Sequence, residues 1–128
     1  MGQYLMDNNV ISNYLTESYP QKTMIFISDL IDMIPNISVI TEIEALSWIA
    51  PDKEYEKIIK EFVKVANILP LTKSVVTECI QIRRSKKIKT PDAIIAATAI
   101  VNNLILLTND NDFNNIRHLQ IMNPFDIT

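Results

Sequence analysis

The sequence predicts an α/β fold built on a parallel sheet, and three features carry that prediction. Short apolar, partly β-branched runs alternate with longer stretches of helical period along the chain. One run, Leu104 to Leu107 (LILL), is apolar at every position, as a central parallel strand covered on both faces should be. Strands that alternate with helices imply βαβ units, which join parallel strands.

Each element follows in order. Residues 3–6 read as a short strand running into Asp7. Residues 9–17 place Val10, Ile11, Tyr14 and Leu15 on one helical face. Residues 21–34 set Met24, Ile27, Leu30, Ile31 and Ile34 on one stripe, and Pro35 stops that helix. Residues 37–40 (ISVI) read as a buried strand, followed by a helix from Thr41 to about Ala50 that Pro51 ends. Residues 54–66 form an amphipathic helix with Tyr55, Ile58, Ile59, Phe62, Val63 and Ala66 on its apolar face. Ile68 and Leu69 make a short strand before Pro70. Residues 73–84 are helical, with Val75, Val76, Cys79 and Ile80 inward. The segment TPDAIIAATAIV (90–101) is apolar almost all round and predicts a buried helix whose alanines permit close approach to a sheet. The run 104–107, a short helix near 111–116 and a last strand near 119–122 complete the chain.

Composition narrows the chemistry. A chain of 128 residues fits one domain spanning 1–128, and 48% apolar with 21% charged residues is the balance of a soluble globular protein. No apolar run approaches the roughly 18 residues a membrane span needs. The opening MGQYLMDNNV lacks a basic start and a long apolar stretch, so it reads as part of the fold and not as a signal peptide. The single cysteine, Cys79, allows no intrachain disulfide and points to a reducing, cytoplasmic setting. The single histidine, His118, rules out a two-histidine metal site and is assigned no role. The single glycine, Gly2, removes the P-loop and the dinucleotide fingerprint. Chemistry must therefore rest on carboxylates, hydroxyls and amides.

In open parallel sheets, sites lie beyond the carboxyl ends of the strands, where strand order reverses. Four segments deliver acids there. Asp7 follows the first strand, Glu44 lies one turn into the helix after the second, Asp92 lies in the first turn of 90–101, and Asp110 and Asp112 follow 104–107. Each has a structural explanation by itself. Thr41 and Glu44 match a capping box. Thr90 and Pro91 make a good helix start, with Asp92 favoured by the helix dipole. Asp110 can cap a following helix, and Asp7 can end its strand. Caps do not require their acids to converge, however, and converging carboxylates repel until a proton or cation intervenes. Hard divalent cations take such oxygen ligands and activate water for attack on phosphodiesters.

At these residues the sequence resembles the PIN-domain ribonucleases, closest to the VapC-like toxins of toxin–antitoxin pairs. YLMDNNVISNYL resembles the family's opening, with Asp7 and Asn9 in the expected places; Asn8 stands where the family usually has a hydroxyl residue. ISVITEIEAL carries Glu44, KTPDAIIAATAI carries Asp92, and LLTNDNDFNNI carries Thr108 with two candidate acids, Asp110 and Asp112, of which Asp112 before Phe113 fits better. The resemblance covers nearly the whole chain. It implies a three-layer α/β/α sandwich with a central parallel sheet and cleavage of RNA dependent on Mg²⁺ or Mn²⁺. It also implies a cognate antitoxin and a homodimer. It assigns catalysis to Asp7, Glu44, Asp92 and Asp112, metal binding to Asp7, Asp92, Asp112 and Asp110, and supporting roles to Asn9 and Thr108.

A net charge of −3 argues mildly against a general nucleic-acid binder, but Arg83, Arg84, Lys86, Lys87 and Lys89 cluster just before Asp92 and suit RNA phosphates. The competing reading is a solvated helix end whose cations favour the dipole. Trp48, Met24 and Met33 read as core or partner-interface residues. Three other functions compete: a PIN nuclease of RNA processing, a PIN fold that only binds, and a receiver-type Mg²⁺-binding signalling module. The receiver needs an Asp after the third strand and a Lys after the last, where this chain has Pro70-Leu71-Thr72 and Asn123-Pro124.

Overall fold

Strand order is what positions the site. The computed structural model describes residues 3–127, so Met1, Gly2 and Thr128 lie outside the described residues. Within them, β1 (Tyr4–Met6), β2 (Asn36–Ser38), β3 (Asn67–Leu69), β4 (Ile105–Leu107) and β5 (Ile121–Met122) form one sheet. All pairings are parallel and the order is β3-β2-β1-β4-β5. The chain builds outward from β1 to β3 and then crosses back to place β4 on the other side of β1. Strand order thus reverses between β1 and β4, where Tyr4, Leu5 and Met6 align with Ile105, Leu106 and Leu107.

The six helices cover both faces: α1 (Asn8–Leu15), α2 (Gln21–Asp32), α3 (Val39–Ser47), α4 (Lys53–Val65), α5 (Lys73–Ser85) and α6 (Thr90–Val101). Alternation along the strands sorts the core into two halves. Leu5 and Leu106 pack with Val75, Cys79 and Ile82 of α5 and the alanines of α6. Met6, Leu107 and Ile37 pack on the opposite face with Val10, Ile27, Ala45 and Ile59 from α1 to α4. This is the expected three-layer α/β/α arrangement. Ala93, Ala96, Ala97 and Ala99 are fully buried, which lets α6 approach its neighbours closely. Cys79 is buried as expected.

Several expectations need correction. The second strand ends at Ser38, and α3 starts at Val39 instead of Thr41. Ser38 is the reason: its Oγ accepts from the Thr41 backbone N–H at 3.0 Å, so this cap draws Val39 and Ile40 into a helical turn despite their strand preference. Helix α2 ends at Asp32, so Ile34 leaves the apolar stripe, adopts a positive φ of 61° and stands exposed before Pro35. Ile58 and Ile80, expected inward, are 43% and 52% exposed. The helix near 111–116 is a single 3-10 turn, Asn111–Phe113, and the last strand is confined to Ile121–Met122 with a 3-10 turn after it at Pro124–Asp126. Among the described residues no helix is long and apolar enough to cross a membrane.

Candidate active site

Asp7 stands immediately beyond β1, at the point of strand reversal. Its backbone N–H continues the ladder to the Leu107 carbonyl at 3.1 Å, and its side chain caps α1 by accepting from the Asn8 N–H at 2.8 Å. The other carboxylate oxygen, Oδ2, accepts from the Thr108 hydroxyl at 2.8 Å and from Asn9 Nδ2 at 3.0 Å. Thr108 follows β4, is 1% exposed, and its Oγ1 also accepts from the Asp110 N–H at 3.1 Å and from Asn9 Nδ2 at 3.2 Å. One hydroxyl therefore ties the ends of β1 and β4 to the loop that carries the next acids.

Asp92, Asp110 and Asp112 offer carboxylate oxygens that all lie within 4.8 Å of one another. Asp92 sits in the first turn of α6, which is entered from Lys89 with no side-chain cap; Thr90 and Pro91 both lie inside the helix, contrary to the expected Thr90 cap. Asp110 caps the 3-10 turn, its Oδ1 accepting from the Asp112 N–H at 2.9 Å. Phe113, fully buried, anchors that turn against the sheet. Glu44 is freed from the expected capping box, because Ser38 caps α3 and Thr41 lies within its first turn.

Electrostatics joins these acids into one cluster. Burial, opposed by the Thr108 and Asn8 hydrogen bonds, raises the Asp7 carboxyl above its ordinary value, and the charges of Asp92 and Asp110 raise it further. Glu44 is raised by burial and by the charges of Asp7 and Asp92. Asp92 is raised by burial and by Asp110 and Asp112, while Lys89 opposes the shift. Asp7 and Glu44 are thus coupled through Asp92 to the Asp92, Asp110 and Asp112 group, and the acids come from four separate segments.

Asn9 Oδ1 is buried without a hydrogen-bond partner among the described residues, although its amide group donates to Asp7 and Thr108. A buried acceptor beside repelling carboxylates fits a hard divalent cation, which would supply positive charge and, through its bound waters, hydrogen-bond donors.

The basic stretch divides. Arg83, Lys86, Lys87 and Lys89 line a cavity of about 520 Å³ together with Asp92 and Asp112, whereas Arg84 does not line it. Arg83 Nε also donates to the Ile88 carbonyl at 3.3 Å, which fixes the turn between α5 and α6. Glu44 lines a separate cavity with Asn8, Ser12 and Trp48. Trp48 is 36% exposed and Met33 is 55% exposed, so neither is a core residue, and Met24 is partly buried.

Sequence reasoning missed a polar triad behind Asp7. The buried Tyr19 hydroxyl donates to Asn109 Oδ1 at 2.8 Å and lies 3.3 Å from Asn13 Nδ2. Asn13 shares a helix face with Asn9 and Asn109 adjoins Thr108, both legible from spacing; Tyr19 carries no local signal.

A family model for the PIN domain matches residues 4–119. The chain belongs to the PIN domain family. Solved structures similar to this PIN domain include a toxin–antitoxin complex from Klebsiella pneumoniae at 25% identity, with a TM-score of 0.72, covering 97% of this chain and 99% of that one. FitAcB from Neisseria gonorrhoeae matches at 24% identity with a TM-score of 0.76, covering 97% and 99% of the two chains. VapBC2 from Rickettsia felis, bound to a DNA fragment from its promoter, matches at 19% identity with a TM-score of 0.76, covering 93% and 96%. No match is found among curated proteins.

Proposed function

We propose that this chain is a single PIN domain acting as a divalent-metal-dependent endoribonuclease, the toxin of a toxin–antitoxin pair. The observation that supports the reading is the grouping of the Asp92, Asp110 and Asp112 carboxylates within 4.8 Å, with Asp7 and Glu44 coupled electrostatically to Asp92. Asp7, Asp92, Asp110 and Asp112 would hold Mg²⁺ or Mn²⁺, which supplies an acidified water and neutralises charge building on a phosphodiester. The chain's own groups do the rest. Thr108 and Asn9 hold the Asp7 carboxylate in one orientation through Oδ2. Glu44, raised by burial and by the charges of Asp7 and Asp92, accepts the proton of the attacking water. Lys89, beside Asp92, and Arg83, Lys86 and Lys87 along the same cavity receive RNA phosphates, with Arg84 at the exposed edge of the stretch.

The solved toxin–antitoxin complexes support a cognate antitoxin as partner. Exposed Leu46, Trp48 and Ile49 after Glu44, with Met33 and Ile34 beyond α2, supply apolar surface for it or for a homodimer. The protein works in the cytoplasm, in keeping with its lone thiol.

The test is cleavage of RNA by the purified protein with Mg²⁺ or Mn²⁺, compared with the same reaction in chelator and with Asp7→Asn. Cleavage restricted to the metal-loaded wild type is expected. Metal-independent cleavage, or full activity of Asp7→Asn, would remove the reading.

A further inference from the structure

A third cavity, polar in lining, shares Lys86 with the basic cavity, and its other residues have no part in the chemistry described so far. It holds about 450 Å³ and lies between the end of α5 and the turn at 115–118. Ser85, Lys86, Asn115, Arg117 and His118 contribute its polar wall, with Glu78 the one carboxylate. Lys86 lines this cavity and also the one that contains Asp92 and Asp112, so the two cavities share one lysine.

The turn is held in place, not merely exposed. Asn115 and His118 both adopt left-handed backbone, with φ of 63° and 71°, and the buried Ile116 between them packs into the core. The Leu119 N–H closes the turn on the Ile116 carbonyl at 3.2 Å. With Ile116 pinned inward, Arg117 is displayed outward. Among the described residues its guanidinium has no side-chain hydrogen bond or ion pair. Lys86 Nζ donates to the Asn114 carbonyl, which secures the turn to α5, and an ammonium keeps two further donors. Glu78 lies two helical turns back along α5 from Lys86, so the end next to the active site is the cationic end.

We infer that this cavity is a phosphate subsite: a single-stranded RNA leaving the acid cluster passes over Lys86 and sets a further backbone phosphate against Arg117. The inference rests on the ribonuclease reading. A guanidinium with no partner among the described residues suits a phosphate, which it can engage in bidentate fashion. The contact is with backbone, so it adds affinity and registers the strand without selecting a base.

The experiment titrates single-stranded RNA oligomers of increasing length against the full chain in the Asp7→Asn background, over a range of salt. Arg117→Gln is compared with Lys57→Gln, an equal change of charge on α4, remote from both cavities. Arg117→Gln should weaken binding, more for long oligomers than for short ones, and lower the salt slope of log K by about 0.7, the share of one single-strand phosphate. Arg117→Lys should restore the slope. Lys57→Gln should leave both quantities at their parent values. Equal effects of the two neutral variants, or an unchanged slope in Arg117→Gln, would overturn the subsite. So would a loss confined to an acidic polyglutamate peptide, since that outcome marks a protein partner's surface. RNA bound and cleaved by the wild type with Arg117→Gln indistinguishable from its parent sinks the subsite alone. Absence of any RNA binding by the parent sinks the ribonuclease reading with it.

Discussion

Replacing Thr108 by valine removes one hydroxyl with little change in volume, and the structure indicates what that hydroxyl is worth. Its O–H donates to Asp7 Oδ2 at 2.8 Å, and its oxygen receives the Asp110 N–H at 3.1 Å. A hydrogen bond to a charged group contributes about 1.5–3 kcal/mol, and a backbone donor left without its partner costs about 1–3 kcal/mol. Asp110 is only partly buried, so water recovers some of the second cost. The net expectation is a loss of about 2–4 kcal/mol. At roughly 4 °C per kcal/mol for a chain of this size, the melting temperature falls by roughly 8–16 °C. The Thr108 bond also opposes the upward shift of Asp7, so its removal must raise that carboxyl further. Urea unfolding in chelator measures the first effect, and carboxyl-detected NMR titration of Asp7 measures the second. A loss below about 0.5 kcal/mol, the range of ordinary surface substitutions, combined with an unmoved Asp7 titration, would refute the claim that Thr108 joins the two strand ends.

Four further outcomes are expected. The folded-state values of Asp7, Glu44 and Asp92 are raised, so their contribution is fully present below the ordinary carboxylate range and is lost as pH rises through the raised values. In chelator at neutral pH, Asp7→Asn should therefore melt above wild type while losing cleavage, since Asn keeps the α1 cap; a lower melting temperature across the whole pH range contradicts this. Mg²⁺ at a hundred times its dissociation constant should stabilise the wild type by about 2.7 kcal/mol, and calorimetry of Asp92→Asn should show a much smaller gain. Phe113→Ala should cost about 3–5 kcal/mol and weaken metal binding measured by titration calorimetry, because Phe113 anchors the turn bearing Asp110 and Asp112; intact metal affinity in a folded variant argues against that anchor. Lys86→Glu with Lys87→Glu should weaken RNA binding at low salt by fluorescence anisotropy, and unchanged affinity would remove these lysines from the substrate path.

The sequence by itself determined the fold class, because hydrophobic periodicity is a local property. The apolar run at Leu104–Leu107 read as an interior strand and the alanine-rich 90–101 as a buried helix; the strand is found at Ile105–Leu107 and the helix at Thr90–Val101. Element boundaries were less legible where two local preferences competed, as at Ser38, where a cap overrode β-branched residues. The acids after the strands were also legible, since parallel topology sends all strand ends to one edge. Only the tertiary structure decided which acids share oxygens within one cation's reach, that Thr108 bridges Asp7 and Asp110, and that Tyr19 stands behind them. Those contacts join residues as much as 101 positions apart, and no local pattern encodes such a distance. They arise from the crossover that sets β4 beside β1, which the packing of both helical layers selects.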